Sequence, residues 1–246
     1  MVKFGKEGTQ IMAAPNTLGL DDDLDGVELL ESLETSFGVQ FSDKEAEDCW
    51  TVGDIFTLLQ SYLVRDGRSG AGCASAMAFY RLRRTLAESS LQPRLTPTTP
   101  LKDVSTLPPK VMFERLREDA KMRLPRLSFS LAGQLGLVLL WIGGVGIVLI
   151  AATAPHWTVY AGLAGAAGAI LMRVDRRRFP DACQSLGDLA RKVAALNYAA
   201  LVAAGANYRE KDVWSALVEI LAEHSSIPKS EIREETVLLQ SQVRGV

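Results

Sequence analysis

The sequence predicts an all-α protein, with helical bundles in the cytoplasm and a two-helix transmembrane hairpin, on three observations. Residues 131–153 contain no charged side chain, and residues 157–172 are apolar again after a Pro-containing turn. Outside that pair, segments 76–88, 110–122 and 212–223 carry apolar residues at helical spacing. A short pattern also recurs on either side of the pair, once as Thr51-Val52-Gly53-Asp54-Ile55 and once as Ser185-Leu186-Gly187-Asp188-Leu189.

Residues 1–16 lack the apolar run of a signal peptide and read as a flexible arm, so the hairpin itself would direct insertion. Residues 17–66 read as a first bundle, with Leu24, Val27, Leu30, Leu33 and Phe37 as the expected apolar stripe of its leading helix. The run Leu20-Asp21-Asp22-Asp23-Leu24-Asp25-Gly26-Val27-Glu28-Leu29-Leu30 is followed in order by Leu33, Phe37-Gly38-Val39, Phe41-Ser42-Asp43 and Thr51-Val52-Gly53-Asp54-Ile55. These landmarks resemble the Asp-Ser-Leu motif, the acidic helix and the later landmarks of the acyl carrier protein family, over about a fifth of the chain.

The resemblance implies a four-helix carrier fold, in which a serine at the start of the second helix bears a phosphopantetheine arm. Here Asp23 stands at that position. Aspartate and serine both cap a helix, since either side-chain oxygen accepts from a free N–H of the first turn, and a carboxylate also suits the positive end of the helix dipole. The expectation is a degenerate carrier that keeps the helix start, loses the attachment point and holds no cofactor. A rival reading is calcium, because Asp21, Asp23, Asp25 and Gly26 fit the opening of an EF-hand loop. That loop requires a bidentate glutamate at its twelfth position, where this chain has Ser32, so no metal is expected.

The net charge of −2 hides a strong asymmetry. Residues 20–66 are densely acidic against only Lys44 and Arg65, whereas residues 81–126 are rich in arginine and lysine. Asp23, Asp25, Glu28 and Glu31 thus form a candidate interaction face for a protein partner with a basic docking patch.

The hairpin is assigned to residues 128–174. Its first apolar run, 131–153, would extend about 34 Å as a helix, enough for a hydrocarbon core of about 30 Å. Lys121, Arg123 and Arg126 precede it, Arg173, Arg176, Arg177 and Arg178 follow it, and the turn Ala154-Pro155-His156 has neither lysine nor arginine. The positive-inside rule then places both termini in the cytoplasm and the protein, as a multi-pass component, in a bacterial inner membrane. Gly143, Gly144 and Gly146, with Ala161, Gly162, Gly165 and Gly168, are the small residues expected to bring the two helices together. Gln134 is the one strongly polar side chain within the first span, which argues against a transport path.

Residues 73–127 and 175–205 read as a second carrier-like bundle interrupted by the hairpin, with helix, Pro/Thr loop, helix, and a last helix opened by Ser185-x-Gly-Asp. No Asp-Ser-Leu occurs around Ser105-Thr106-Leu107-Pro108-Pro109, so this copy is also expected to be unmodified. Residues 207–246 carry the stripe Val213, Leu217, Ile220 and Leu221, then a stretch from Ile227 to Leu239 that resembles the carrier family's first helix and following loop. The expectation is a circular permutation in which this segment completes 17–66, in cis or by exchange between protomers.

Chemistry-bearing residues are sparse. Cys49, Cys73 and Cys183 lack metal-ligand spacing, and Cys49 and Cys183 fall at equivalent repeat positions, as small buried thiols would. His156 and His224 lie far in sequence from any nucleophile, and no nucleophile elbow, phosphate loop or zinc motif occurs. No catalytic residue is assigned. The function expected is a non-enzymatic, membrane-anchored binding or scaffold protein that docks partners of acyl-chain or carrier-dependent metabolism. Its partners are a basic-patched protein and the lipid bilayer, with no nucleic acid; self-association is left open. Two alternatives remain: a working carrier modified at an unconventional serine, and an enzyme whose site the sequence does not reveal.

Overall fold

The computed structural model describes residues 16–20, 25–65, 72–90, 94–150, 158–225 and 227–239. In chain order its elements are β1 (Thr17–Leu20), α1 (Asp25–Phe37), α2 (Asp43–Glu47), α3 (Val52–Arg65), α4 (Ala74–Leu86), α5 (Pro109–Ala120), α6 (Leu131–Ile150), α7 (Thr158–Val174), α8 (Leu186–Leu196), α9 (Tyr198–Ala203), α10 (Glu210–His224) and β2 (Val237–Leu239). The protein is predominantly helical. Two short strands depart from an all-α chain: β1 and β2 pair in parallel, with Thr17 opposite Val237 and Leu20 opposite Leu239. Contacts divide the chain into two units, Met1–Ser69 with Tyr208–Val246, and Gly70–Asn207.

In the first unit, α10 packs against α1 and α3. Its stripe Val213, Leu217, Ile220 and Leu221 is fully buried, together with Leu29, Leu33 and Phe37 of α1 and Val52, Ile55 and Leu59 of α3. Trp214 meets Phe56 edge to face, with centroids 5.1 Å apart. Helix α1 stops at Gly38, whose φ of 67° is left-handed and whose N–H returns to the Glu34 carbonyl at 2.8 Å; glycine takes that conformation without a Cβ clash. Asn16 is tied down as well, since its carbonyl accepts from Val237 and its side chain donates to the Glu231 carbonyl.

The expected stripe of α1 needs correction. Leu24 lies outside the described residues, Leu30 is half-buried, and Val27 is 61% exposed. The buried line is Leu29, Leu33, Ser36 and Phe37, at i, i+4, i+7 and i+8, and Val27 lies about 200° around the helix from Leu29. The two lines share Leu33 and Phe37, and packing against α10 turns Leu29 rather than Val27 inward beside them.

In the second unit, α4 packs on α5, α8 and α9. Leu82 and Leu86, Met112 and Leu116, Leu186, Leu189 and Val193, and Tyr198 form the core. The chain leaving α5 is pinned by the Asn197 amide, which accepts from the Arg123 N–H and donates to the Arg123 and Val193 carbonyls.

Helices α6 and α7 lie side by side. Within α6, Leu131–Val148 is the one segment among the described residues long and apolar enough to cross a membrane, with α7 a shorter apolar helix. The helices touch through glycine. A Cβ on Gly143 would lie 2.5 Å from the Gly165 nitrogen, and one on Gly168 would lie 2.7 Å from the Gly136 carbonyl oxygen. Gly144 and Gly162, expected in this contact, face open space instead, since helical geometry turns them away from the partner. Outward from the contact stand large apolar side chains, among them Trp141 at 71% and Val148 at 76% exposure. The turn, with His156, lies outside the described residues.

Candidate docking face and loop–helix junctions

Helix α1 turns one side to α10 and the other to solvent. The solvent side carries Val27, Glu28, Glu31 and Thr35, all exposed, at i, i+1, i+4 and i+8. Glu28 and Glu31 thus share a surface with an exposed valine. Asp25 opens the helix, and Asp23 lies outside the described residues, as does Asp21 of the calcium reading. Ser32, at the twelfth position of that reading, sits half-buried inside α1. Among the described residues no group of three or more His, Cys, Asp or Glu side chains is placed to hold a metal ion.

The recurring Thr/Ser-x-Gly-Asp pattern makes the same hydrogen bonds in both units. At the start of α3, the Asp54 carboxylate accepts from the Thr51 N–H at 2.8 Å and its hydroxyl at 2.9 Å, while the Asp54 N–H donates back to the Thr51 hydroxyl. At the start of α8, Asp188 accepts from the Ser185 N–H at 2.9 Å and its hydroxyl at 2.7 Å, with the same return bond. Each is a capping box built with aspartate at the third position, which satisfies N–H groups that the helix itself leaves unpaired.

A loop docks on each of these helix starts in the same way. In the first unit Val52 donates to the Thr236 carbonyl at 3.0 Å, Gly53 to Glu234 at 2.9 Å, and Leu238 to Trp50 at 3.1 Å. In the second, Leu186 donates to Thr99 at 2.9 Å, Gly187 to Pro97 at 2.8 Å, and Leu101 to Gln184 at 3.0 Å. Both loops fold around a buried threonine, with the Arg233 N–H donating to the Thr236 hydroxyl and the Thr96 N–H to that of Thr99. Residues 96–101 and 233–238 are therefore structural equivalents. The sequence signal for the loop half is slight: a threonine at the fourth place and a leucine at the sixth.

Electrostatics at the junctions follow from these bonds. Burial alone would raise the Asp54 pKa, but the N–H and hydroxyl of Thr51 and the N–H of Trp50 outweigh it and hold the carboxyl below its ordinary value. Asp188 behaves alike: burial works upward, and the Ser185 hydroxyl and N–H, then Arg191, win and lower it. Cys49 goes the other way, pushed up to about 11 by burial and then by the carboxylates of Asp54, Asp48 and Glu45. Its thiol stays protonated at neutral pH and is a poor nucleophile. Cys49 and Cys183 each sit two residues before a capping Thr or Ser, and both are buried. His224 ends α10, half-buried.

Where α6 begins and α7 ends, the chain is clamped. Ser128 and Arg178 exchange both backbone hydrogen bonds, at 3.0 and 2.9 Å. The Asp175 carboxylate, 1% exposed, accepts from the Ser130 N–H and hydroxyl and lies 3.5 Å from the Arg177 Nε. Arg177 in turn stacks over the Phe129 ring at 3.6 Å. Gln134 stands on the exposed side of α6. No family model matches this chain, and no solved structure matches it.

Proposed function

We propose that the chain is a membrane-anchored, non-enzymatic docking protein whose two helical units are degenerate acyl-carrier-like bundles. Its partner would be a protein of acyl-chain or carrier-dependent metabolism that presents a basic patch. The observation that carries this reading is α1, whose inner side is buried by Leu29, Leu33 and Phe37 and whose outer side presents Val27, Glu28 and Glu31 to solvent. An acidic, partly apolar helix face suits recognition by a basic surface, with charge steering the approach and the exposed valine adding apolar contact. Asp23 in place of a serine removes the site of phosphopantetheine attachment, so docking rather than acyl transfer is what such a bundle would retain. The repeated junctions support a common ancestry of the two units, and the outward apolar side chains of α6 and α7 support an anchor in lipid.

The experiment pairs intact mass with binding. After coexpression with a phosphopantetheinyl transferase, the protein should show no added arm; a stoichiometric adduct on a serine would replace this reading with that of a working carrier. In nanodiscs, binding to carrier-dependent acyltransferases should weaken with salt and be lost in the double variant Glu28→Lys and Glu31→Lys. Binding that ignores both salt and the substitutions would remove α1 as the docking face.

A further inference from the structure

Where α5 meets the start of α6 and the end of α7, the second unit holds an open cleft of about 610 Å³ lined by Lys110, Arg117, Arg126, Arg173 and Arg177. Lys110 and Arg117 stand two turns apart on one side of α5, Arg126 lies in the segment leading to α6, and Arg173 and Arg177 lie at the end of α7 and just beyond it. Only two carboxylates, Glu114 and Asp175, line the same cleft. Lys110, Arg117 and Arg173 form no ion pair among the described residues.

Asp175, buried against Ser130, offsets Arg177, which also stacks on Phe129, and the cleft still keeps five cations against two carboxylates. A guanidinium fixed in this way keeps donors beyond the one facing Asp175, and such a fork matches the geometry of a phosphate. The remaining wall is apolar, through Phe113, Leu127 and Met172. If α6 spans the hydrocarbon core, residues just outside its first turn lie at the depth of lipid headgroups. We propose that this cleft is a binding site for the phosphate of an anionic lipid headgroup, with the apolar wall taking the adjoining glycerol and upper acyl chain. This rests on the membrane reading of α6 and α7.

The probe is phosphatidylglycerol, compared with phosphatidylcholine, bound to the full chain in detergent and read by native mass spectrometry. Phosphatidylglycerol should be retained selectively, and the double variant Arg117→Gln and Arg173→Gln should weaken retention by about tenfold or more, with helicity unchanged. Arg83→Gln with Arg84→Gln, which changes exposed cations of α4 outside the cleft, should leave retention as it was. Equal retention of the two lipids, or equal loss in both double variants, overturns the site. Displacement of the lipid by inorganic phosphate assigns the cleft to a soluble phosphate and overturns the lipid source. Carbonate extraction separates the two readings: protein that washes out of membranes defeats the anchor itself, whereas protein that stays inserted without lipid selectivity defeats only the cleft.

Discussion

Gly187 donates its backbone N–H to the carbonyl of Pro97 at 2.8 Å, and a Cβ built on Gly187 would lie 2.7 Å from that same oxygen. The equivalent pair in the first unit is looser, with a Cβ on Gly53 lying 3.1 Å from the Glu234 oxygen. Gly187→Ala should therefore push the 96–101 loop off α8 and cost about 1 to 3 kcal/mol, the usual range for overpacking. Gly53→Ala should cost less. Hydrogen exchange at the start of α8 and of α3 measures each; equal loss of protection would mean that the close approach does not set the requirement for glycine.

Acid should weaken both junctions. The pKa values of Asp54 and Asp188 are lower in the folded chain than the roughly 3.9 of an unfolded aspartate, so each contributes stability that is present in full above that value. The contribution is lost as pH falls through the depressed folded pKa. Asp54→Asn and Asp188→Asn should flatten the acid limb of a proteolysis-versus-pH profile in their own units. An unchanged limb in both variants would place the acid sensitivity elsewhere.

The first unit should depend on the C-terminal segment for its core. Removing residues 211–246 takes away Val213, Leu217, Ile220 and Leu221 and leaves Leu29, Leu33 and Phe37 without their cover. Leu217→Ala alone should cost about 2 to 5 kcal/mol, the range for truncating a buried leucine. Hydrogen exchange across residues 25–37 in the truncated chain is the check, with α6 and α7 as an internal reference. Retained protection there would show that α1 is held by something other than α10.

Contact between α6 and α7 should respond to two adjacent glycines very differently. Gly143→Leu places a side chain against the backbone of Gly165 and should drive the helices apart, while Gly144→Leu points into open space and should be tolerated. Spin labels at Trp141 and Leu163, both well exposed, report the separation by pulsed dipolar spectroscopy. A similar distance in both variants would argue against glycine packing as the link.

Much of the helical layout was legible in the sequence because it is written in side-chain spacing. The uncharged run from Leu131 and the stripe Val213, Leu217, Ile220 and Leu221 are local patterns, and helices α6 and α10 follow them. The recurring Thr/Ser-x-Gly-Asp was legible for a related reason: a capping aspartate must lie a fixed three residues from the side chain it bonds. By itself, then, the sequence determined where helices form, where two of them are capped and which run is apolar enough for lipid. Tertiary structure decided the rest. Only the approach of α10 chose Leu29 over Val27 as the inward side of α1, because both lie on helical lines and burial is settled by the neighbour. Only the folded chain pairs β1 with β2 and docks residues 96–101 and 233–238 on their helix starts, since those bonds join backbone N–H and C=O groups that every residue but proline carries alike. Asn16 and Glu231 meet across 215 residues through such a carbonyl, and no side-chain pattern marks a carbonyl as the partner.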